Sequence, residues 1–217
     1  MKTAKDFRAI ARENLHGNWT NAILTVLVFE AILSICSSVP FATIILTGVM
    51  QVGLALFFLK FHRKQNADIK DLFLGFNDFA KNFMLGLLHT IYIVLWTLLL
   101  IVPGIIKAYS YSMSMYIRND QPSLEAGECI TKSREMMDGH KWRLFCLDMS
   151  FIGWVALCIL SFGIGFIWLT PYMQTARTAF YEDLKAEKFG KNPAGNENGE
   201  SITIETWQPE DITKDFQ

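Results

Sequence analysis

The stretch WTNAILTVLVFEAILSICSSVP, residues 19–40, decides the fold class. From Trp19 to Val39 it carries a single charged residue, Glu30, and it is about as long as a helix needs to be to cross roughly 30 Å of hydrocarbon at 1.5 Å per residue. Ser37-Ser38-Val39-Pro40 then closes it with a short uncharged turn, and a second apolar run follows at 41–60. The same pattern occurs twice more. Runs at 83–102 and 105–117 turn at Pro103-Gly104, and runs at 143–160 and 165–180 turn around Ser161 to Gly165. Six spans arranged as three helical hairpins are therefore expected, in an all-α polytopic membrane protein.

Composition agrees. Of 217 residues 51% are hydrophobic and only 19% charged, with a mean hydropathy of +0.24, whereas a soluble domain carries about 25% charged residues. The 20 Lys and Arg nearly balance the 21 Asp and Glu, a net charge of −1, so no global basicity points to nucleic acid. The placement of the cations is more telling than their sum. All except Lys107 fall on one side of the expected spans, which by the positive-inside rule makes both termini cytoplasmic. That leaves almost nothing outside, and an extracellular receptor or secreted catalytic domain is excluded.

Each hairpin is preceded by a polar stretch with apolar residues at helical spacing: Phe7, Ile10, Ala11 and Leu15; Ile69, Leu72, Phe73, Phe76 and Phe79; Cys129, Ile130, Met136 and Met137. Thr3 and Asp6 are placed as N-cap and third-position acid of the first, Asp68 and Asp71 precede the second, and the third starts at Pro122-Ser123. All three end at an aromatic: Trp19, Phe83 and Trp142. The chain thus divides into a membrane domain, 1–185, built of three repeats of about 60 residues, 3–61, 66–120 and 122–184. A polar, glycine-rich tail, 186–217, has no period and is expected to be disordered.

An ionisable group at membrane depth costs about 3 kcal/mol on insertion scales, so each one needs a partner or a use. Counting from the interface puts Glu30 about 16 Å deep and Gln51 about 15 Å deep from the other side, which would let them meet near the midplane. The same count brings Asp148 and Arg177 to one level, an expected ion pair. Lys107 lies near the outer face, to snorkel outward or reach Glu30, and snorkelling is preferred. These five are the candidate intramembrane polar residues. They would either line an ion or proton path or bond the hairpins together, and the second reading is preferred.

Nothing marks an enzyme. The four cysteines, Cys36, Cys129, Cys146 and Cys158, make no CxxC, the histidines have no metal-ligand spacing, and there is no phosphate loop or nucleophile elbow. No catalytic residue, metal or cofactor is expected. The partners implied are membrane lipid and, beyond it, a protein partner or a second copy of the chain.

One resemblance is specific. Ile101-Val102-Pro103-Gly104-Ile105-Ile106-Lys107 with Tyr109 and Tyr111 is followed by Ser133-Arg134-Glu135-Met136-Met137-Asp138-Gly139-His140-Lys141-Trp142. Then come Ser150 to Trp154, Gly163-Ile164-Gly165, Pro171-Tyr172 and Phe180-Tyr181. In that order, over roughly residues 5 to 184, these resemble the bacterial integral-membrane family known as domain of unknown function 975. The resemblance implies a multi-pass protein of the bacterial cell membrane with no established activity and no catalytic residues. The function expected is a non-enzymatic membrane module contacting lipid or a protein partner through interfacial helices; the alternative is a small transporter or pore using the intramembrane polar residues.

Overall fold

The computed structural model describes residues 2–36, 40–161 and 163–189. The tail beyond residue 189 and the expected turn at Ser37 to Val39 lie outside them. Among the described residues the chain is helical, without a strand: α1 Ala4–Leu15, α2 Trp19–Cys36, α3 Pro40–His62, a 3-10 segment Ile69–Phe76, α4 Phe79–Leu99, α5 Ile101–Tyr111, α6 Ser114–Asp120, α7 Ala126–Met136, α8 Lys141–Met149, α9 Ile152–Leu160 and α10 Phe166–Phe189.

Four stretches are long and apolar enough to cross a membrane: Trp19–Cys36, Ile45–His62, Phe79–Leu99 and Lys141–Leu160. The other two expected spans take a different form. The run 105–117 is split between α5 and α6 at Ser112–Met113, and 165–180 is the first part of α10, which continues into the charged sequence ending at Phe189. Lys141–Leu160 is also interrupted, at Ser150–Phe151.

Both interruptions are filled from elsewhere in the chain, which gives the freed backbone groups partners within the protein. At the first, the Ser133 hydroxyl of α7 donates to the Ser110 carbonyl at 2.9 Å and accepts the Met113 N–H at 3.2 Å. At the second, Arg8 Nη1 of α1 donates to the Ser150 carbonyl at 3.2 Å, and the Tyr172 hydroxyl holds the Arg8 carbonyl at 3.1 Å.

The central helix is α3, whose Ile45–His62 window is 61% buried where the other three are 17–22%. Glycines make that possible. A Cβ on Gly48 would lie 2.8 Å from Gly86 Cα of α4, and one on Gly53 would lie 2.0 Å from the Leu72 carbonyl oxygen. Gly75 in turn sits against the Val49 carbonyl, where a Cβ would come within 2.3 Å. Such contacts are the close backbone approach that small residues permit between packed helices. They also explain one departure from expectation: the second amphipathic stretch is a 3-10 segment, pressed onto the backbone of α3, rather than an α-helix.

The three pre-span segments begin alike. Asp6 accepts the Thr3 N–H at 2.7 Å, Asp71 the Asp68 N–H at 3.0 Å and Glu128 the Glu125 N–H at 2.8 Å, each a third-position acid closing on its N-cap. The third therefore starts at Glu125, not at Pro122-Ser123, because the Pro122 and Leu124 carbonyls are taken by the Arg118 guanidinium. Gly17 and Gly139, with φ of +86° and +77°, turn α1 into α2 and α7 toward α8 in the left-handed region that glycine enters without strain.

The apolar faces of α1 and α7 point inward. Phe7, Ala11 and Leu15, like Cys129, Ile130, Met136 and Met137, are buried, with Phe7 edge-on to Phe180 at 5.4 Å. Aromatic side chains line the junction of the 3-10 segment and α4: Phe73, Phe76, Phe79 and Phe83 stack in succession at 6.5, 6.4 and 5.9 Å, with Phe73 and Phe79 exposed. Large apolar side chains elsewhere lie exposed on α2, α4, α5 and α9, among them Leu98 at 83% and Leu160 at 78%.

Candidate functional site

Of the five polar residues singled out in the sequence, the structure joins two. Arg177 of α10 grips Asp148 of α8 through both oxygens, Nη2 to Oδ2 at 3.0 Å and Nε to Oδ1 at 3.2 Å. Tyr109 of α5 donates its hydroxyl to Asp148 Oδ2 at 3.1 Å. Three helices thus close on one carboxylate. Asp148 lies two residues before the interruption at Ser150, and Tyr109 three before Ser112, whose hydroxyl donates to the Tyr109 carbonyl at 2.8 Å. The site is where the two broken helices meet.

The others stand apart. Glu30 is exposed on α2 and Gln51 half-buried on α3, with no hydrogen bond between them, so the expected meeting at the midplane does not occur. Equal depth was not enough, because Glu30 is turned outward around the axis of α2. Lys107 does not reach Glu30 either: its ammonium lies over the Trp96 ring, 4.7 Å from the centroid. The polar residues that follow it turn inward, Ser110 and Ser114 being buried and Ser114 within 3.3 Å of His89 Nδ1.

Many of the cations that flank the apolar runs are held in ion pairs. Asp120, at the end of α6, receives Arg63 Nη2 at 2.8 Å, Lys185 Nζ at 2.7 Å and the Tyr181 hydroxyl at 2.9 Å. Burial pushes the Asp120 carboxyl up, but Arg63 and Lys185 pull it down further, to below the ordinary carboxylate value. Burial and the Asp120 charge push the Tyr181 phenol well up, which keeps it a donor.

Arg118, 3% exposed, donates Nε to Asn82 Oδ1 at 2.8 Å and Nη2 to Asp78 at 3.0 Å, besides the two carbonyls already named. Arg143 binds Asp183 at 2.8 Å and Glu187 at 2.9 Å, and Lys60 binds Asp71 at 2.6 Å. Partners in these networks lie far apart in sequence, 119 residues for Arg63 Nε and Glu182 at 2.8 Å, and no spacing signals them.

Among the described residues no group of three His, Cys, Asp or Glu side chains is placed to hold a metal ion. Burial pushes the Cys129 thiol up to about 11, so it is a packing group rather than a nucleophile. Two open hollows, of about 440 Å³ over Ala9, Arg12, Glu13 and His16 and about 320 Å³ along the outer face of α7, touch none of the five polar residues.

Asp148→Asn or Arg177→Gln alone is expected to lower the detergent melting temperature, because each leaves one half-buried charge unpaired. The double substitution should recover part of the loss, a coupling on the order of 1–3 kcal/mol. Strictly additive losses would contradict a working pair.

The comparisons with known proteins bear on family alone. No curated protein and no solved structure matches the chain. The family model described as protein of unknown function (DUF975) matches residues 1–110 and 98–188. The chain, matched over nearly all of its helical part, belongs to the DUF975 family.

Proposed function

We propose that the protein is a non-enzymatic, multi-pass module of the bacterial cell membrane, with both termini cytoplasmic, that contacts lipid through its exposed apolar belt and the outward side of the 3-10 segment. The observation that carries this reading is the division of the surface. Exposed Leu, Ile, Val and Trp side chains cover α2, α4, α5 and α9, while the ion-pair networks gather around the ends of α3, α6 and α10.

In this reading α5 with α6 is the fourth span, completed across its break by Ser133, and the apolar part of α10 is the sixth. The three third-position acids Asp6, Asp71 and Glu128, each opening a segment that leads to Trp19, Phe83 or Trp142, support three tandem units. Trp142, 72% exposed, would sit with these aromatics at the cytoplasmic interface. Because α1 and α7 have turned their apolar faces inward, the phenylalanine stack that runs from the 3-10 segment into α4, with Phe73 and Phe79 exposed, is the interfacial contact with lipid.

A nitroxide placed by Phe73→Cys in proteoliposomes tests this. Oxygen should relax it more effectively than a water-soluble nickel chelate, and the order should reverse for Arg134→Cys. Preference for the chelate at residue 73 would remove the interfacial role.

A second reading, a small transporter or pore, rests on the convergence of two broken helices at Tyr109, Asp148 and Arg177, the kind of interruption that lines substrate paths in transporters. A proton or cation flux in proteoliposomes that Asp148→Asn abolishes without unfolding the protein would favour it.

A further inference from the structure

Four charged side chains lie at membrane depth in the reading above, which this inference rests on. Asp148 and Arg177 satisfy each other, which leaves one acid, Glu30, and one base, Lys107, with no ion partner among the described residues. We propose that the leftover charges answer each other between copies: Glu30 of one chain pairs with Lys107 of a second, bringing α2 of the first against the α4–α5 hairpin of the second.

Depth is matched. Glu30 lies six residues before the end of α2 at Cys36, and Lys107 six residues after the start of α5 at Ile101, so each is about 9 Å from the outer end of its helix. Pairing within one chain is not available. The α2 helix packs on α3, α10 and the 3-10 segment, and α5 packs on α4, α7 and α8.

Glu30 is exposed and Lys107 half-buried, each on a helix whose apolar side chains are exposed. Leu24, Leu27 and Ile35 are exposed along α2 near Glu30; Val102, Ile105 and Ile106 are exposed beside Lys107. Lipid would cover the apolar residues equally well, but it offers Glu30 no cation. A carboxylate in hydrocarbon is stabilised by an ammonium far more than by acyl chains, so the charge, not the apolar area, selects a second copy over lipid. The ammonium already rests on the Trp96 ring, which holds the long lysine side chain in place for an incoming carboxylate. A symmetric pair of chains would make the contact twice, and a ring of chains once per neighbour.

Full-length chains labelled with donor or acceptor dye and mixed in liposomes of neutral lipid give the association by energy transfer. Wild type should associate. Glu30→Lys and Lys107→Glu should each weaken association about tenfold or more, and the double reversal in one chain should restore most of it. Single reversals that leave association unchanged, or a wild type that stays monomeric at every protein-to-lipid ratio, would overturn the pairing.

A second measurement does not depend on those variants folding with reversed charges. Differently tagged chains, one with Glu30→Cys and the other with Lys107→Cys, should form a mixed disulfide on mild oxidation in a background lacking the native cysteines. A disulfide formed instead inside one chain carrying both changes would place the partners in the same copy and overturn the proposal. Wild-type chain that stays monomeric in the carbonate-resistant membrane fraction sinks the pairing alone, whereas chain washed off by carbonate sinks the membrane reading with it.

Discussion

Gly53→Ala should lose most of its folded yield in detergent and drop the melting temperature of what remains, although it adds one methyl group. The reason is the position of that methyl, 2.0 Å from the Leu72 carbonyl oxygen and 2.7 Å from the carbonyl carbon. Both are backbone, and both belong to the 3-10 segment, so no side chain can rotate away. The segment must lift off α3, taking with it the Leu72 core contact and the Gly75 contact to Val49. Overpacking of this kind costs roughly 1–3 kcal/mol or more. The matched control is Gly127→Ala in α7, where nothing lies within 4 Å and alanine's higher helix propensity should add up to about 1 kcal/mol. Equal melting temperatures for the two variants would show that the segment does not seat on α3 as described.

Asp120→Ala is the second large loss. Its carboxylate gathers Arg63, just past the end of α3, with Lys185 and the Tyr181 phenol of α10, and 5% of its side chain is exposed. Removing it leaves Lys185 without its carboxylate and Arg63 with Glu182 alone, a loss of up to about 3–5 kcal/mol, the range for breaking a buried pair. The sign of the pH dependence follows. The folded Asp120 is held below its unfolded value, about 3.9, so its contribution is present above that value and is lost as pH falls through the lower, folded one. Wild type should therefore lose stability below about pH 4, and Asp120→Ala, already without the contribution, should lose less over the same range. Parallel acid-unfolding curves for the two proteins would contradict that role.

Residues whose signal is local were legible in the sequence. Thr3 with Asp6 showed itself as a cap by spacing alone, whereas the capping of Asp68 by Asp71 shows only in the structure. The four apolar stretches showed themselves by length. Depth counting also paired Asp148 with Arg177, because both residues happen to face the same interior. The same count failed for Glu30 and Gln51: depth gives the level of a side chain but not its rotation about the helix axis, and Glu30 is turned outward.

What the sequence did not disclose depends on distant partners. Arg118 reads as one more cytoplasmic cation, yet it ties α4, α6 and the loop before α7 together. Tyr109 reads as part of a motif, yet it completes the Asp148 site. The break at Ser112–Met113 became acceptable only because Ser133, about 20 residues later, reaches into it. An apolar run long enough to cross a membrane cannot show that its helix will be interrupted and repaired by another element.

The account stands or falls on which side of a bilayer the hairpin tips and the ion-pair networks lie. Single cysteines in a chain with its four native cysteines replaced by serine, probed on intact cells with an impermeant maleimide, decide it. Leu100→Cys and Gly163→Cys should react at once, while Lys64→Cys, Arg134→Cys and Lys188→Cys should react only after permeabilisation. Reaction of Arg134→Cys on intact cells, or protection of Leu100→Cys and Gly163→Cys until permeabilisation, would contradict the account.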